Sequence, residues 1–184
     1  MNQNNEFVVP SLLYGKAFSP EECKQILDYS EDLQIFETAS GYGKTDYSQR
    51  KCTIKALEQN EHSNWIYARL ISIVKEADKN YFHYKPEYLE TIQLMKYQES
   101  DHFMWHTDTS TTYSHYFKRK LSIIVFLSEP GDYDGGKLEL APASQNNILM
   151  ELGYMALFPS FKVHRVTPIT KGIRYTLVSW ANIY

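Results

Sequence analysis

Residues 88–184 break into short β-type runs parted by turn residues, and no other feature limits the fold of this chain as strongly. The runs are TIQLMKYQES, FMWHTD, KLSIIVFLS, GGKLELAP, NNILME, GYMALFPS, KVHRVTP and GIRYTLVSWANIY, with EPGDYDGG, PASQ, ELG and TKG as the turns. About eight short strands joined this way predict a β-sandwich or barrel.

The first half reads differently. Residues 7–18 look extended, and FSPEEC then carries a helix start. Ser19 is the expected N-cap, Pro20 suits the first helical position, and Glu22 falls three after the cap. Phe18 and Cys23 are spaced as a hydrophobic staple. This helix is predicted to reach about Asp32 and to bury Cys23, Ile26 and Leu27. A second is predicted from near Ser63, where Ile66, Leu70, Ile73, Val74, Ala77 and Tyr81 repeat at helical spacing as a core stripe. Two helices ahead of such strands would cover one sheet face. Between the helices, ASGYGKTDYSQRK (39–51) reads as a long loop, either a solvated connection or a lid over a site.

Hydrophobic residues make up 43% of the 184 positions and aromatics 15%, enough for one sizeable core and a ring-lined pocket. The expected organisation is a single domain over 1–184, with 1–87 supplying helical support and the loop and 88–184 the β core. A net charge of −3 gives no electrostatic case for nucleic acid or an anionic membrane. No run approaches the ~18 apolar residues of a membrane span. The start MNQNNEFVVPSLLYG lacks the pattern of a signal peptide. Cys23 and Cys52 lack zinc-type spacing and read as buried hydrophobes. A soluble, cytoplasmic protein is expected.

FMWHTDTS is the stretch that suggests chemistry. Phe103, Met104 and Trp105 read as a strand entering a core. Alternation along that strand would put His106 and Asp108 on one face. A neutral imidazole and a carboxylate there can share a metal ion, or simply hydrogen-bond to each other at a strand end. His164, in FPSFKVHRVTP, and Arg174, opening the last long strand, bear on the choice. Arg174, Thr176, Val178 and Trp180 share one face of that strand, and an arginine there is costly unless it meets an anion. A buried ion pair or an edge arginine reaching solvent is the plainer alternative. Together the four residues fit two His and one carboxylate on one face of an octahedral iron(II), with an Arg fork holding the far carboxylate of a 2-oxo acid.

H-x-D, a distant His and a basic residue about ten later resemble the iron(II)/2-oxoglutarate dioxygenases. LSIIVFLSEPGDYDGGKLEL and FPSFKVHRVTPITKGIRYTLVSW are similar to the prolyl 4-hydroxylase-like branch, most of all to the bacterial PKHD-type hydroxylases. The resemblance covers about residues 88–184, and the N-terminal half loosely. It implies a mostly β fold, a double-stranded β-helix (jelly roll) supported by the two N-terminal helices. It also implies Fe(II), 2-oxoglutarate and O2 as cofactor and cosubstrates, with ascorbate as reductant.

Carried over residue by residue, the resemblance makes His106, Asp108 and His164 the metal ligands. It makes Arg174, Tyr97 and Thr176 the cosubstrate residues, and sets Arg50, Trp180 and His115 near the substrate. Plain packing is the competing account of Tyr97 and Trp180. Gly135 and Gly136 are expected to form a turn that leaves room near the site. Some prolyl hydroxylases place a tyrosine hydroxyl on the strand that reads IIVFLS here, whereas Val125 and Phe126 have none, so Tyr97 and Thr176 would have to serve. The activity implied is hydroxylation of a peptidyl proline. The alternatives are a free amino acid or other small molecule as substrate, or a catalytically silent jelly-roll binding module.

Overall fold

The computed structural model describes residues 12–36, 46–109, 118–141 and 148–183. In chain order the elements are β1 (Leu13–Lys16), α1 (Pro20–Ser30), β2 (Ile35–Phe36), β3 (Arg50–Lys51), β4 (Thr53–Leu57), α2 (Asn64–Ala77), β5 (Tyr88–Leu89), β6 (Ile92–Tyr97) and β7 (His102–His106). They continue as β8 (Arg119–Phe126), β9 (Tyr133–Gly135), β10 (Leu138–Leu140), β11 (Tyr154–Pro159), β12 (His164–Val166), β13 (Ile169–Gly172) and β14 (Arg174–Asn182).

An eight-stranded antiparallel sheet runs β1-β11-β8-β14-β6-β4-β2, with β5 also on β14. A second sheet runs β10-β12-β7-β3, and β9 pairs β13. Strand alternation divides the major sheet into two faces. Leu121, Ile123 and Val125 of β8 and Leu177 and Ala181 of β14 join one core with Ile26 of α1 and Ile66, Leu70 and Val74 of α2. Ile124, Phe126, Val178 and Trp180 face the other way, into a core shared with Leu138, Leu140 and Val166 of the second sheet. The central strands are buried on both faces, which is why LSIIVFLS reads as an almost unbroken apolar run. This is the expected jelly roll with its helices on one face.

Local chemistry explains the helices. Ser19 Oγ accepts from the Glu22 N–H at 3.2 Å and Glu22 Oε2 accepts from the Ser19 N–H at 2.9 Å, the predicted capping box. Phe18 and Cys23 are buried together. Helix α1 stops at Ser30, two residues short of Asp32, and Leu27 is only partly buried.

Helix α2 keeps its stripe to Ala77 and then enters a π-helical turn, Asp78–Phe82. That turn shifts the register, burying Phe82 and leaving Tyr81 51% exposed instead of in the core. The Asp78 carboxylate accepts from the N–H groups of Tyr84 and Lys85 at 2.7 and 2.9 Å and fastens the chain where it turns.

Four further expectations change. Residues 148–150 form no strand, so NNILME does not add one among the described residues. EPGDYDGG and TKG, read as turns, contribute β9 and β13 to a two-stranded ladder. His102, outside the run FMWHTD, opens β7. The 39–51 segment is not all loop: Arg50 and Lys51 pair with Phe103 and His102, while the part of the lid before residue 46 lies outside the described residues.

Candidate metal centre

His106, Asp108 and His164 converge, with one ligand atom from each lying within 4.8 Å of the others. His106 Nε2 is 3.7 Å from Asp108 Oδ1, and His164 Nε2 is 3.4 Å from Asp108 Oδ2. His106 is the last residue of β7 and pairs directly with His164 at the start of β12.

A β-bulge makes this possible. His164 pairs with His106 and Val166 with Phe103, so two steps on β12 match three on β7. The extra residue, within Met104–Trp105, turns Phe103 and His106 to the same side, where their rings stack 3.5 Å apart. It also turns Met104 and Trp105 outward, 41% and 37% exposed, against the expectation that both enter the core. The Trp105 ring instead packs under the Arg165 guanidinium at 4.6 Å.

Both imidazoles are held in one tautomer. His106 Nδ1 donates to the Met104 carbonyl at 2.7 Å and His164 Nδ1 to the Lys162 carbonyl at 2.9 Å. A carbonyl only accepts, so each Nδ1 carries the proton and each Nε2 presents a lone pair. Burial, reinforced by the neighbouring His164, pushes the His106 pKa down to about 4 and keeps its ring neutral. Burial alone would raise the Asp108 pKa. The neighbouring His164 and His106 and the hydrogen bond from Ser122 outweigh it and hold the Asp108 pKa below its ordinary range. Two imidazoles and one carboxylate suit a divalent first-row metal.

Asp108 is not on the strand. It lies two residues past the end of β7 and is placed by its N–H, which donates to the Ser160 carbonyl at 2.9 Å. Strand alternation was therefore the wrong reason for the correct meeting of His106 and Asp108.

The second half of the site lies on β14. Arg174 is 1% exposed and faces the inter-sheet core opposite Tyr97 of β6. Its Cζ lies 5.4 Å from the Tyr97 ring centroid and 5.7 Å from that of Phe126. Its Nε and Nη2 have no hydrogen-bond partner, and no carboxylate pairs with it among the described residues. A buried guanidinium with unused donors fits an anionic ligand and disfavours the buried ion pair. Thr176 is buried two residues along on the same face, and Trp180 lies two further on from Val178.

Burial raises the pKa of Tyr97 and Tyr133, so both hydroxyls stay protonated as donors. Tyr133 lies beside Arg174, whose charge works against the burial, and was missed in the sequence, where it sat inside an apparent turn. Of the two residues lacking a hydroxyl on IIVFLS, Phe126 faces this pocket and Val125 faces the helices. Tyr133 supplies beside Arg174 a hydroxyl that Phe126 cannot. Gly136 has φ +57°, and a Cβ there would lie 2.9 Å from Arg174 Cδ, so the DGG turn does leave the arginine its room.

Arg50 is buried on β3, its guanidinium 4.7 Å over the Phe103 ring, with Nη2 at 3.6 Å from Met95 Sδ and Nε unpartnered. It adds a second cation beside His106. His115 lies outside the described residues.

Residues 92–182 match the family model of the 2OG-Fe(II) oxygenase superfamily. The chain is similar to a PKHD-type hydroxylase of Synechococcus sp., 28% identical over 178 residues that cover 92% of this chain and 76% of the relative. Among solved structures it resembles a Pseudomonas putida prolyl-4-hydroxylase, with a TM-score of 0.72, 19% identity and coverage of 94% and 93% of the two chains. A Trichoplax adhaerens prolyl hydroxylase in complex with a hypoxia inducible factor peptide fragment matches with a TM-score of 0.76, 16% identity and coverage of 94% and 83%. At these identities the two structures speak for the fold.

Proposed function

The chain is a 2OG-Fe(II) oxygenase that resembles the PKHD-type hydroxylases, and on that premise we propose that it hydroxylates a prolyl residue in a peptide, with His106, Asp108 and His164 holding the iron. The observation that carries the site assignment is Arg174, a buried guanidinium with free donors on the same inter-sheet face as the cluster. A silent binding module has no use for both.

Bound iron(II) with 2-oxoglutarate and O2 would supply the oxidising chemistry, coupling decarboxylation of 2-oxoglutarate to succinate with C–H hydroxylation. The protein's own residues do the rest. His106 and His164 present Nε2 lone pairs from rings locked through Nδ1. Arg174 takes the distal carboxylate of 2-oxoglutarate in a forked bond, with the Tyr133 and Tyr97 hydroxyls and Thr176 completing the cradle. Phe103, Phe158 and Trp180 line the inner wall and exclude water, which strengthens every charge interaction there. Arg50 and Trp180 are the described residues assigned to the substrate. Ascorbate would serve as the reductant that keeps the iron ferrous. The two free cysteines fit a reducing compartment such as the cytoplasm. None of the described helices is long and apolar enough to cross a membrane.

Succinate release with iron(II), ascorbate and 2-oxoglutarate, with and without proline-containing peptides, tests the proposal. Peptide-stimulated release with one oxygen gained on proline supports it. Basal release that no peptide stimulates sends the substrate to the small-molecule class. No release from iron-loaded protein refutes the enzyme.

A further inference from the structure

Asp108 is the one member of the cluster that no strand ladder holds, yet the hydrogen bonds around it form a closed loop. Its N–H donates to the Ser160 carbonyl at 2.9 Å. Ser122 Oγ lies 2.6 Å from Asp108 Oδ2 and 3.0 Å from Ser160 Oγ. The proton directions follow from chemistry. A carboxylate only accepts, so the single Ser122 proton goes to Oδ2, and Ser160 must donate to Ser122.

Both serines are 0% exposed, so water cannot replace either partner. Ser122 sits between Leu121 and Ile123 on a strand buried on both faces, paired with Phe158 on one side and Trp180 on the other. A hydroxyl in that setting is costly unless its hydrogen bond is used.

We propose that Ser122 and Ser160 are positioning residues that dock Asp108 on the major sheet and commit its Oδ2, leaving Oδ1 as the oxygen that binds the metal. This rests on the metal-site reading above. Oδ1 faces His106 at 3.7 Å and takes no serine hydroxyl, while Oδ2, 3.4 Å from His164 Nε2, already accepts from Ser122. Attachment through one oxygen occupies one coordination position and leaves the remaining ones for cosubstrate. The two serines thereby tie a ligand that follows the minor-sheet strand β7 to β8 and to the end of β11.

The test uses the full chain and Mn(II) as probe, titrated calorimetrically into wild type, Ser122→Ala and Ser160→Ala, with d–d absorption of the Co(II) forms as second readout. Ser122→Ala is expected to bind Mn(II) about 10–100-fold more weakly and to shift the Co(II) bands, because the freed Oδ2 can compete for the metal. Ser160→Ala, one bond further out, is expected to weaken binding by about 3–10-fold. A purely structural role would lower the melting temperature and leave the Co(II) bands of the folded protein alone. Ser122→Ala with wild-type Mn(II) affinity and Co(II) spectrum overturns the inference. If Ser122→Ala does not fold, Ser160→Ala decides, and wild-type affinity there overturns it. Wild type that takes up no Mn(II) removes the metal-site reading itself, and this inference with it.

Discussion

Replacing Arg174 by Met should move stability and ligand binding in opposite directions. The guanidinium is 1% exposed, and its Nε and Nη2 are unpartnered. The ligand-free protein therefore carries the desolvation cost of a buried cation without full compensation. Exchanging a buried ionic group for a well-packed apolar one is neutral or stabilising by about 1–4 kcal/mol. For a chain of this size that leaves the melting temperature of the apo protein unchanged or raised by about 2–16 °C. The same change would remove the forked bond proposed for 2-oxoglutarate. Two charge-assisted hydrogen bonds at about 1.5–3 kcal/mol each put the loss at about 3–6 kcal/mol, at least about 100-fold in affinity. Thermal melts with and without 2-oxoglutarate, in the presence of Mn(II), read both quantities. Wild type should gain melting temperature on adding 2-oxoglutarate and the variant should not. A variant that binds 2-oxoglutarate as wild type does would refute the reasoning. So would an apo protein that melts lower, as after an ordinary core truncation.

Gly136→Ala should disturb the same anchor from outside, since it combines φ +57° with a Cβ 2.9 Å from Arg174 Cδ. We expect a loss of about 1–2 kcal/mol in stability and weaker 2-oxoglutarate binding, measured by denaturant titration and calorimetry. Asp108→Ala should abolish metal-dependent succinate formation while the circular dichroism spectrum stays native, and retained turnover would remove Asp108 from the ligand set. Burial pushes the Cys23 thiol up to about 11. At pH 8 about one thiol in 10³ is ionised, so iodoacetamide should modify Cys23 at least about 100-fold more slowly than an exposed thiol until the protein is unfolded.

Chemistry confined to a few consecutive residues was legible in the sequence. Ser19, Pro20 and Glu22 specify a helix start by local hydrogen bonding, and they form it. The alternating faces of β14 follow from strand geometry and place Arg174, Thr176, Val178 and Trp180 together. What escaped depends on the pairing of distant segments. The bulge opposite Arg165 exists only because β7 and β12 differ by one residue in register, and no pattern within FMWHTD encodes it. It converts an apparent core strand into one whose Met104 and Trp105 face out. Tyr133 and the β9–β13 ladder were hidden for a similar reason, because glycine-rich turn chemistry masked a three-residue strand whose partner lies more than thirty positions away. The π-helical turn after Ala77 rotates Tyr81 out of a stripe that periodicity alone continues. Ser122 offered one signal, a lone hydroxyl within the apolar run LSIIVFL, which has meaning only once its neighbour is known to be Asp108.

The central claim is that iron held by His106, Asp108 and His164 receives 2-oxoglutarate as a chelate anchored by Arg174. The most direct test is anaerobic visible absorption of the iron(II)-loaded protein as 2-oxoglutarate is added. The account predicts a metal-to-ligand charge-transfer band that saturates at one equivalent, needs higher 2-oxoglutarate in Arg174→Met, and does not form in Asp108→Ala. Iron-loaded wild type that shows no such band, or an Asp108→Ala protein that keeps it, would contradict the account.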